Sequence, residues 1–162
     1  MSSPAPVKFE TTLFVRDHCL CLHTQRAARA LARRFDEALR PLGLTSGQFS
    51  LMMALNRPEP PTIGSVATLL AVDRTTLTAA LKPLERRRLV DVMQHPRDRR
   101  SRVMRLTDAG RFLLADAVPT WTRVHASMES NLPLGEADRL RRTLVHLADV
   151  ATKGFAIDDT PK

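Results

Sequence analysis

The segment 72–110 constrains the fold more than any other part of the chain, because a helix-start residue is followed by a leucine stripe at helical spacing. Asp73 is suited to cap a helix, since its carboxylate accepts hydrogen bonds from amides that lack partners in the first turn. Leu77, Leu81 and Leu84 follow at i, i+4 and i+7 and therefore share one face. The pattern predicts a helix that begins after Asp73 and is buried along its leucine face.

The opposite face of this helix, which we expect to run from Arg74 to about Arg87, is polar and basic. At 100° per residue, the side chains turned away from the leucines are Thr75, Thr78, Ala79, Lys82 and Arg86. Such side chains can contact base edges or phosphates. Arg74 and Thr76 are added as candidate DNA contacts, although Thr76 has the alternative role of only supporting the fold.

Two short runs of mixed apolar and polar residues follow the helix, at Leu89–Gln94 and Arg102–Leu106, and predict two strands. The turn that we expect between them, residues 95–102, is crowded with arginine. Its candidate DNA contacts are Arg97, Asp98, Arg99, Arg100 and Arg102. A helix beside a cationic hairpin is suited to a DNA duplex.

The positive charge is concentrated in the same segment. Residues 73–111 carry 11 basic and 5 acidic side chains, a net charge of +6, out of +8 for the whole chain of 162 residues. Each phosphate neutralised by Lys or Arg releases condensed counterions, so such a patch binds nucleic acid with an affinity that falls steeply with salt. No basic helix here has a bulky apolar face, which disfavours a membrane surface as the partner.

Helical spacing of apolar residues predicts further helices on both sides of this segment, at about 9–40, 46–55, 64–70, 107–130 and 136–153. The first and last are long and have little to pack on within one lobe, so we expect their apolar stripes to pair with those of a second chain. The predicted fold is mainly α. It comprises one domain at 10–153, with a DNA-binding lobe at about 45–107, dimerisation helices at about 10–40 and 107–153, and mobile tails at 1–9 and 154–162.

Composition excludes several classes of protein. No apolar run approaches the roughly 18 residues of a membrane helix, and residues 1–10 lack the apolar segment of a signal peptide, so we expect a cytoplasmic protein. Two cysteines exclude a secreted disulfide framework. No phosphate-binding glycine loop, nucleophile elbow or framed carboxylate pair is present, which predicts a protein that is not an enzyme and has no cofactor.

Helix, short helix, tight turn, helix and hairpin, in that order, make a winged helix-turn-helix, and the residues resemble the MarR family of bacterial transcription regulators over about residues 10–153. The strings that carry the resemblance are Arg74-Thr75-Thr76-Leu77-Thr78, Leu84-Glu85 with Leu89-Val90, and Asp98-x-Arg100 with Leu106-Thr107-x-x-Gly110. The chain departs from the family pattern at Arg88, where glycine is usual, and at Pro83, which lies inside the recognition helix and removes one helical hydrogen bond.

The resemblance implies a homodimer with each recognition helix in a major groove. It further implies that Arg100 reaches the minor groove while Asp98 steadies the hairpin. An arginine is suited to that role on physical grounds as well, because a narrow A·T-rich minor groove has enhanced negative potential. At Arg88, a left-handed backbone would cost a residue other than glycine about 1 kcal/mol.

His18, Cys19, Cys21 and His23 form a second cluster, and four-fold metal ligation by residues of a single helix is geometrically impossible, so we predict no metal site. The position of Cys21 resembles that of the reactive cysteine in the peroxide-sensing branch of the family. Members of that branch bond the thiolate through tyrosines, and this chain has no tyrosine. Gln25 and Phe35 lie where we would look for them.

The resemblance also suggests a small-molecule effector bound between the dimer helices and the winged lobe. The candidate ligand-binding residues are Arg16, His18, His23, Phe49, Met52 and Trp121. Their alternative reading is that Phe49 and Met52 belong to the core and the histidines to the surface. We therefore predict a homodimeric repressor released from a pseudo-palindromic operator by a small aromatic or acyl carboxylate. The alternatives are peroxide sensing through Cys21 and an architectural DNA-binding protein without an effector.

Overall fold

The computed structural model describes residues 6–153, apart from the side chain of Arg99. The helices are α1 (Phe9–His18), α2 (Leu20–Leu39), α3 (Ser46–Leu55), α4 (Ile63–Leu69), α5 (Arg74–Arg86), α6 (Asp108–Glu129) and α7 (Glu136–Lys153), with a 3₁₀ turn at Arg40–Leu42 after α2. The strands are β1 (Val90–His95) and β2 (Asp98–Leu106). The mainly α prediction is confirmed. The expected tails, 1–9 and 154–162, lie largely outside the described residues.

The prediction of one continuous first helix is wrong, because the chain breaks at Cys19. This residue has an extended backbone, with φ −75° and ψ 104°, and its amide closes α1 on the carbonyl of Val15. Its Sγ accepts a hydrogen bond from the Leu22 amide at 3.4 Å and so caps the start of α2. A break of one residue leaves the apolar spacing on either side intact, which is why periodicity did not reveal it.

The chain separates into two compact units, one that ends at Trp121 and a second that begins at Thr122. The first unit holds the main core. Its fully buried side chains come from α2, α3, α4, α5 and β2, and include Leu39, Leu51, Met52, Val66, Leu77, Leu84, Met104 and Leu106. Leu81 is buried as well, so the predicted leucine face of α5 is confirmed.

Helices α3, α4 and α5 form the helix-turn-helix. A capping box at Thr45 and Gln48 starts α3, because each side chain bonds the backbone amide of the other residue. Thr62 starts α4 by accepting a hydrogen bond from the Ser65 amide at 3.1 Å. A tight turn follows, in which Ala71 has a φ of 51°. These caps fix where each helix begins and set α5 at the surface of the lobe.

The two strands pair antiparallel from Val90 opposite Leu106 to His95 opposite Asp98, with a bulge at Gln94 and His95. We call this hairpin the wing. Its turn is only Pro96 and Arg97, shorter than the predicted 95–102, because the pairing continues to Asp98. At its base, the Met104 amide donates to the Pro61 carbonyl at 3.0 Å, which ties the wing to the segment before α4.

The second unit contains the end of α6 and all of α7. Arg141 of α7 forms ion pairs with Glu129 and with Asp138. Leu140, Leu144, Val145 and Val150 of α7 are exposed. Within residues 6–153, no helix is both long and apolar enough to cross a membrane.

Candidate DNA-binding surface

The first turn of α5 is held by Asp73, as predicted. One carboxylate oxygen accepts from the Thr76 amide and the other from the Thr76 hydroxyl, both at 2.7 Å. The hydrogen bond from the Thr76 hydroxyl lowers the pKa of Asp73, and the bond from the Thr76 amide adds to this effect. Because this bond engages the Thr76 hydroxyl in the cap, the structure favours the supporting role of this residue over a direct DNA contact.

The outward face of α5 is as the sequence predicts. Thr75, Thr78, Ala79, Lys82 and Arg86 are all exposed. The Thr78 hydroxyl donates to the Arg74 carbonyl at 2.7 Å, so it keeps its acceptor capacity for a partner. A helix that is buried along its leucines and exposed along these residues can enter a groove of DNA with only the second face.

The end of α5 shows both departures from the family pattern. Pro83 lies within the last helical turn. Arg88 adopts the left-handed backbone that the family pattern implies, with φ 56°. The amides of Arg88 and Leu89 donate to the carbonyls of Glu85 and Leu84, at 2.8 and 2.9 Å. The helix therefore ends in a glycine-type cap that is formed without glycine, at a cost of about 1 kcal/mol.

The tip of the wing is organised by Asp98. Its carboxylate accepts from the Arg100 amide at 3.0 Å and from the Ser101 hydroxyl at 2.5 Å. The hydrogen bond from Ser101 is the main cause that lowers the Asp98 pKa, followed by that from the Arg100 amide. The carboxylate thus braces the backbone on which the exposed Arg100 stands, the role that the family resemblance implies.

A groove of about 380 Å³ lies between the start of α4, α5 and the wing. We call it the arginine groove. Its lining residues are Thr62, Ile63, Gly64, Arg74, Thr78, Arg100, Ser101 and Arg102. Three guanidinium groups and three hydroxyls converge there, and none of these lining residues is acidic. Guanidinium donors of this kind bind the phosphate oxygens of a DNA backbone.

The arginine groove unites Arg74 and Thr78 of α5 with Arg100 and Arg102 of the wing, residues that the sequence placed on separate elements. Sequence reasoning missed Thr62, Gly64 and Ser101, and the signal available for Thr62 was its capping position before α4. The remaining candidates Ala79, Lys82 and Arg86 lie further along the exposed face of α5, where they line a separate depression with Pro83 and Glu85. Arg97 is exposed in the wing turn. The side chain of Arg99 is outside the part of the chain that the structure describes.

A second, apolar groove of about 470 Å³ lies elsewhere in the first unit. We call it the aromatic groove. It is lined by Phe49, Ser50, Met53, Ala54, Leu69, Leu70, Val118 and Trp121. The Trp121 ring lies nearly parallel to Phe35 and to Phe49, with ring centroids 6.3 and 6.2 Å apart. Of the six predicted ligand-binding residues, the groove contains Phe49 and Trp121.

The other predicted ligand-binding residues lie away from the aromatic groove of this chain. Met52 is fully buried in the core. Arg16 forms two hydrogen bonds to Asp17, at 2.6 and 2.9 Å, and the same contact raises its pKa. The His18 ring stacks on Phe14, and the His23 ring is 3.2 Å from the Asp17 carbonyl. These polar side chains therefore cluster around the break between α1 and α2.

Cys21 is exposed near the start of α2. The Gln25 side-chain amide donates to its sulfur at 3.1 Å, and Arg29 in turn donates to the Gln25 carbonyl at 3.0 Å. Gln25, one of the two positions at which we would look for a tyrosine, therefore supplies a hydrogen bond to the thiol. Among the described residues, no group of three or more His, Cys, Asp or Glu side chains is placed to hold a metal.

The helix-turn-helix, the exposed face of α5 and the arginine groove beside the wing define a winged helix-turn-helix DNA-binding protein. The model of the MarR family matches residues 44–101, which cover the helix-turn-helix and most of the wing. The DNA-bound transcriptional regulator MosR of Mycobacterium tuberculosis is 38% identical, with a TM-score of 0.76, over 84% of this chain and 98% of MosR. The protein belongs to the MarR family.

Two curated relatives are similar over shorter segments. The transcriptional activatory protein BadR of Rhodopseudomonas palustris is 35% identical over 89 residues, 53% of this chain and 51% of BadR. The transcriptional repressor NicR of Pseudomonas putida is 31% identical over 93 residues, 57% of this chain and 59% of NicR. The match therefore spans about half the length of these relatives. Family and fold make the protein a DNA-binding transcription regulator and not an enzyme.

Proposed function

We propose that the protein is a cytoplasmic, homodimeric repressor that binds a pseudo-palindromic operator and leaves it when a small aromatic or acyl carboxylate binds. The observation that carries the DNA half of this proposal is the arginine groove. It brings Arg74, Arg100 and Arg102 together beside the exposed face of α5, so one lobe can hold the backbone and read the adjoining base edges. The relative NicR is named as a repressor, which supports repression as the mode of regulation, whereas BadR is named as an activator.

Dimerisation is supported by apolar side chains that remain exposed in both units. Phe9, Phe14 and Val15 of α1 and Leu20 and Leu31 of α2 are exposed in the first unit. In the second unit, α7 exposes its own apolar residues. Several large apolar side chains exposed on the same helices indicate an interaction site, and a second copy of the chain is the partner that the MarR resemblance implies. Two recognition helices would then meet half-sites about one helical turn apart.

Replacement of Arg100 by alanine is expected to weaken operator binding by about 1–3 kcal/mol, which is about 5- to 150-fold, since one guanidinium leaves the arginine groove. The loss should be greater on A·T-rich flanks, where the minor groove is narrow. Titration of a fluorescent duplex, selected by the parent protein from a randomised library, measures the change at fixed salt.

Arg111→Ala is the matched control, because it removes the same charge from an arginine that pairs with Asp108 and does not line the groove. This variant should bind within about twofold of the parent. Undiminished affinity of the Arg100→Ala protein would refute the assignment of the wing.

The effector half of the proposal rests on the aromatic groove. Its volume of about 470 Å³ lies within the usual range for small-ligand sites, and its walls are apolar with Trp121 on one side. PcaV, in complex with its natural ligand, and CouR, bound to p-coumaroyl-CoA, share the fold at 21 and 22% identity. An aromatic ring is the moiety that the lining of this groove suits best. Arg16, His18 and His23 do not line this groove within one chain, so they act as the proposed anion partners only where the second protomer brings them to it.

Peroxide sensing is the second candidate, and one contact favours it. Gln25 donates to the Cys21 sulfur and is itself bonded by Arg29, so the amide is polarised toward the thiol. In this chemistry the thiolate attacks one peroxide oxygen, the O–O bond breaks, and the products are a sulfenate and an alcohol. A related organic hydroperoxide resistance regulator of Bacillus subtilis is 28% identical over 99 residues.

Titration of the DNA complex with salicylate, benzoate and cumene hydroperoxide separates the two inputs. We expect an aromatic acid to release the parent from DNA and also to release the Cys21→Ser and Cys19→Ser variants. The reason is that the ligand binds more tightly to the form of the dimer that does not bind DNA. A response to the hydroperoxide that is lost in Cys21→Ser and retained in Cys19→Ser, with none to the acids, would contradict the ligand proposal.

A further inference from the structure

Arg87, the residue that follows α5, points to another part of the lobe although it lies in the basic run 86–88. Its Nη1 donates to the Gly43 carbonyl at 2.5 Å, and its Nη2 donates to the Leu42 carbonyl at 3.2 Å. Both carbonyls belong to the turn that links α2 to α3. The guanidinium therefore bridges the end of the recognition helix and the end of α2.

The two carbonyls are available because of how α2 ends. Gly43 has a φ of 65°, and its amide donates to the Arg40 carbonyl at 2.9 Å, while the Leu44 amide donates to the Leu39 carbonyl at 3.3 Å. These two bonds close the helix but leave the carbonyls of Leu42 and Gly43 at its C-terminal end, where the helix dipole is negative. A forked cation suits this pair of acceptors better than a neutral donor does.

The Arg87 guanidinium lies close to the backbone of Gly43. A Cβ added at Gly43 would lie 3.3 Å from the Arg87 Nη1, so the guanidinium rests directly on the glycine backbone. By contrast, Arg86 lines the exposed depression on α5 with Lys82. The two adjacent arginines thus have different surroundings.

We propose that Arg87 is a positioning residue, which fixes the end of the recognition helix to the α2–α3 turn and so sets the half-site spacing that the dimer accepts. It contributes to DNA binding through the orientation of α5, while Arg86 contributes through its charge at the DNA. The inference rests on the proposed operator with two half-sites.

The test compares Arg87→Met with Arg86→Met, since both remove one guanidinium and keep an unbranched side chain. Affinity is measured on the selected duplex at several salt concentrations, and on duplexes with one base pair inserted or deleted between the half-sites. For Arg86→Met we expect the magnitude of the slope of log affinity against log salt to decrease by about 1.8, which is about 0.9 for each of the two protomers, with an equal loss on all spacings.

For Arg87→Met we expect the salt slope of the parent, a loss of about tenfold on the native spacing, and almost no loss on the altered spacings. Arg87→Lys, which keeps the charge without the planar fork, should show the same flattened spacing preference. A lower salt slope for Arg87→Met would make Arg87 a phosphate contact and overturn the proposal. Unchanged affinity and spacing preference, or a lysine variant that equals the parent, would overturn it as well.

These outcomes are separate from a failure of the proposed function. If the parent itself selects no two-half-site duplex and shows no spacing preference, the operator proposal fails. If the parent has that preference and Arg87→Met retains it, only the positioning role fails.

Discussion

Replacement of Leu140 and Leu144 by aspartate is expected to convert the protein to a monomer and to lower operator affinity at least about 100-fold. Both leucines lie on one face of α7, and they are 47% and 42% exposed. Full burial of an exposed leucine side chain is worth about 1.5–3 kcal/mol, so covering the exposed part of each leucine contributes about half of that, and a buried unpaired carboxylate adds a further penalty. A protein limited to one half-site also loses the gain from two linked binding events.

The matched control carries Arg142→Asp and His146→Asp, which have the same i, i+4 spacing on the opposite face of α7. Both residues are exposed. This control should remain a dimer in sedimentation equilibrium, and its affinity should change only through its lower net charge. Deletion of the chain from Glu136 onward should reproduce the monomer. If the leucine variant, or the truncated protein, sediments as a stable and folded dimer, the proposed interface is wrong.

The recognition helix could be predicted from the sequence because its signals are local. A capping aspartate and three leucines at helical spacing place both its start and its buried face, and the structure agrees on Asp73, Leu77, Leu81 and Leu84. Exposure of the opposite face then follows from helical geometry alone.

The two grooves and the Arg87 contact could not be predicted in the same way, because they depend on elements that are far apart in sequence. Arg87 and Gly43 are separated by 44 residues, and nothing in the run Arg86-Arg87-Arg88 distinguishes the arginine that bonds the α2–α3 turn. The arginine groove likewise needs the wing to be tied beside α4 by the Met104 amide. Residue type indicated a basic surface, and tertiary packing decided which residues share a site.

Arg88, which stands where the family usually has glycine, and Gly110 both lie at the junction between the end of α5 and the start of α6. Substitution at this junction is expected to have a large effect on stability. Gly110→Ala is expected to lower the free energy of unfolding by about 3 kcal/mol or more. A Cβ at Gly110 would lie 2.0 Å from the Leu89 carbonyl oxygen and 3.0 Å from its carbonyl carbon, and both are backbone atoms that cannot rotate away. Overpacking of this kind typically costs 1–3 kcal/mol, and a contact with fixed backbone belongs at the high end or beyond.

The same clash would separate hydrogen bonds that join the segment after α5 to the residue before α6. Thr107 donates its amide to the Leu89 carbonyl at 3.1 Å and its hydroxyl to the Arg88 carbonyl at 2.8 Å. The Thr107 oxygen in turn accepts from the Gly110 amide at 3.0 Å, which caps α6. Moving α6 away to admit a methyl group would therefore weaken both the junction and the cap.

Arg88→Gly is the counterpart at the same junction and should have the opposite sign. Glycine adopts the observed φ of 56° without strain, so the variant should gain about 1 kcal/mol of stability, reduced in part by the greater freedom of glycine in the unfolded chain. Urea unfolding measures the free energy of unfolding of both variants. The protein concentration is kept fixed, because the stability of a dimer depends on concentration. Equal stability of Gly110→Ala and the parent would show that α6 does not approach Leu89 this closely, and destabilisation by Arg88→Gly would show that the arginine side chain stabilises the junction by more than its backbone strain costs.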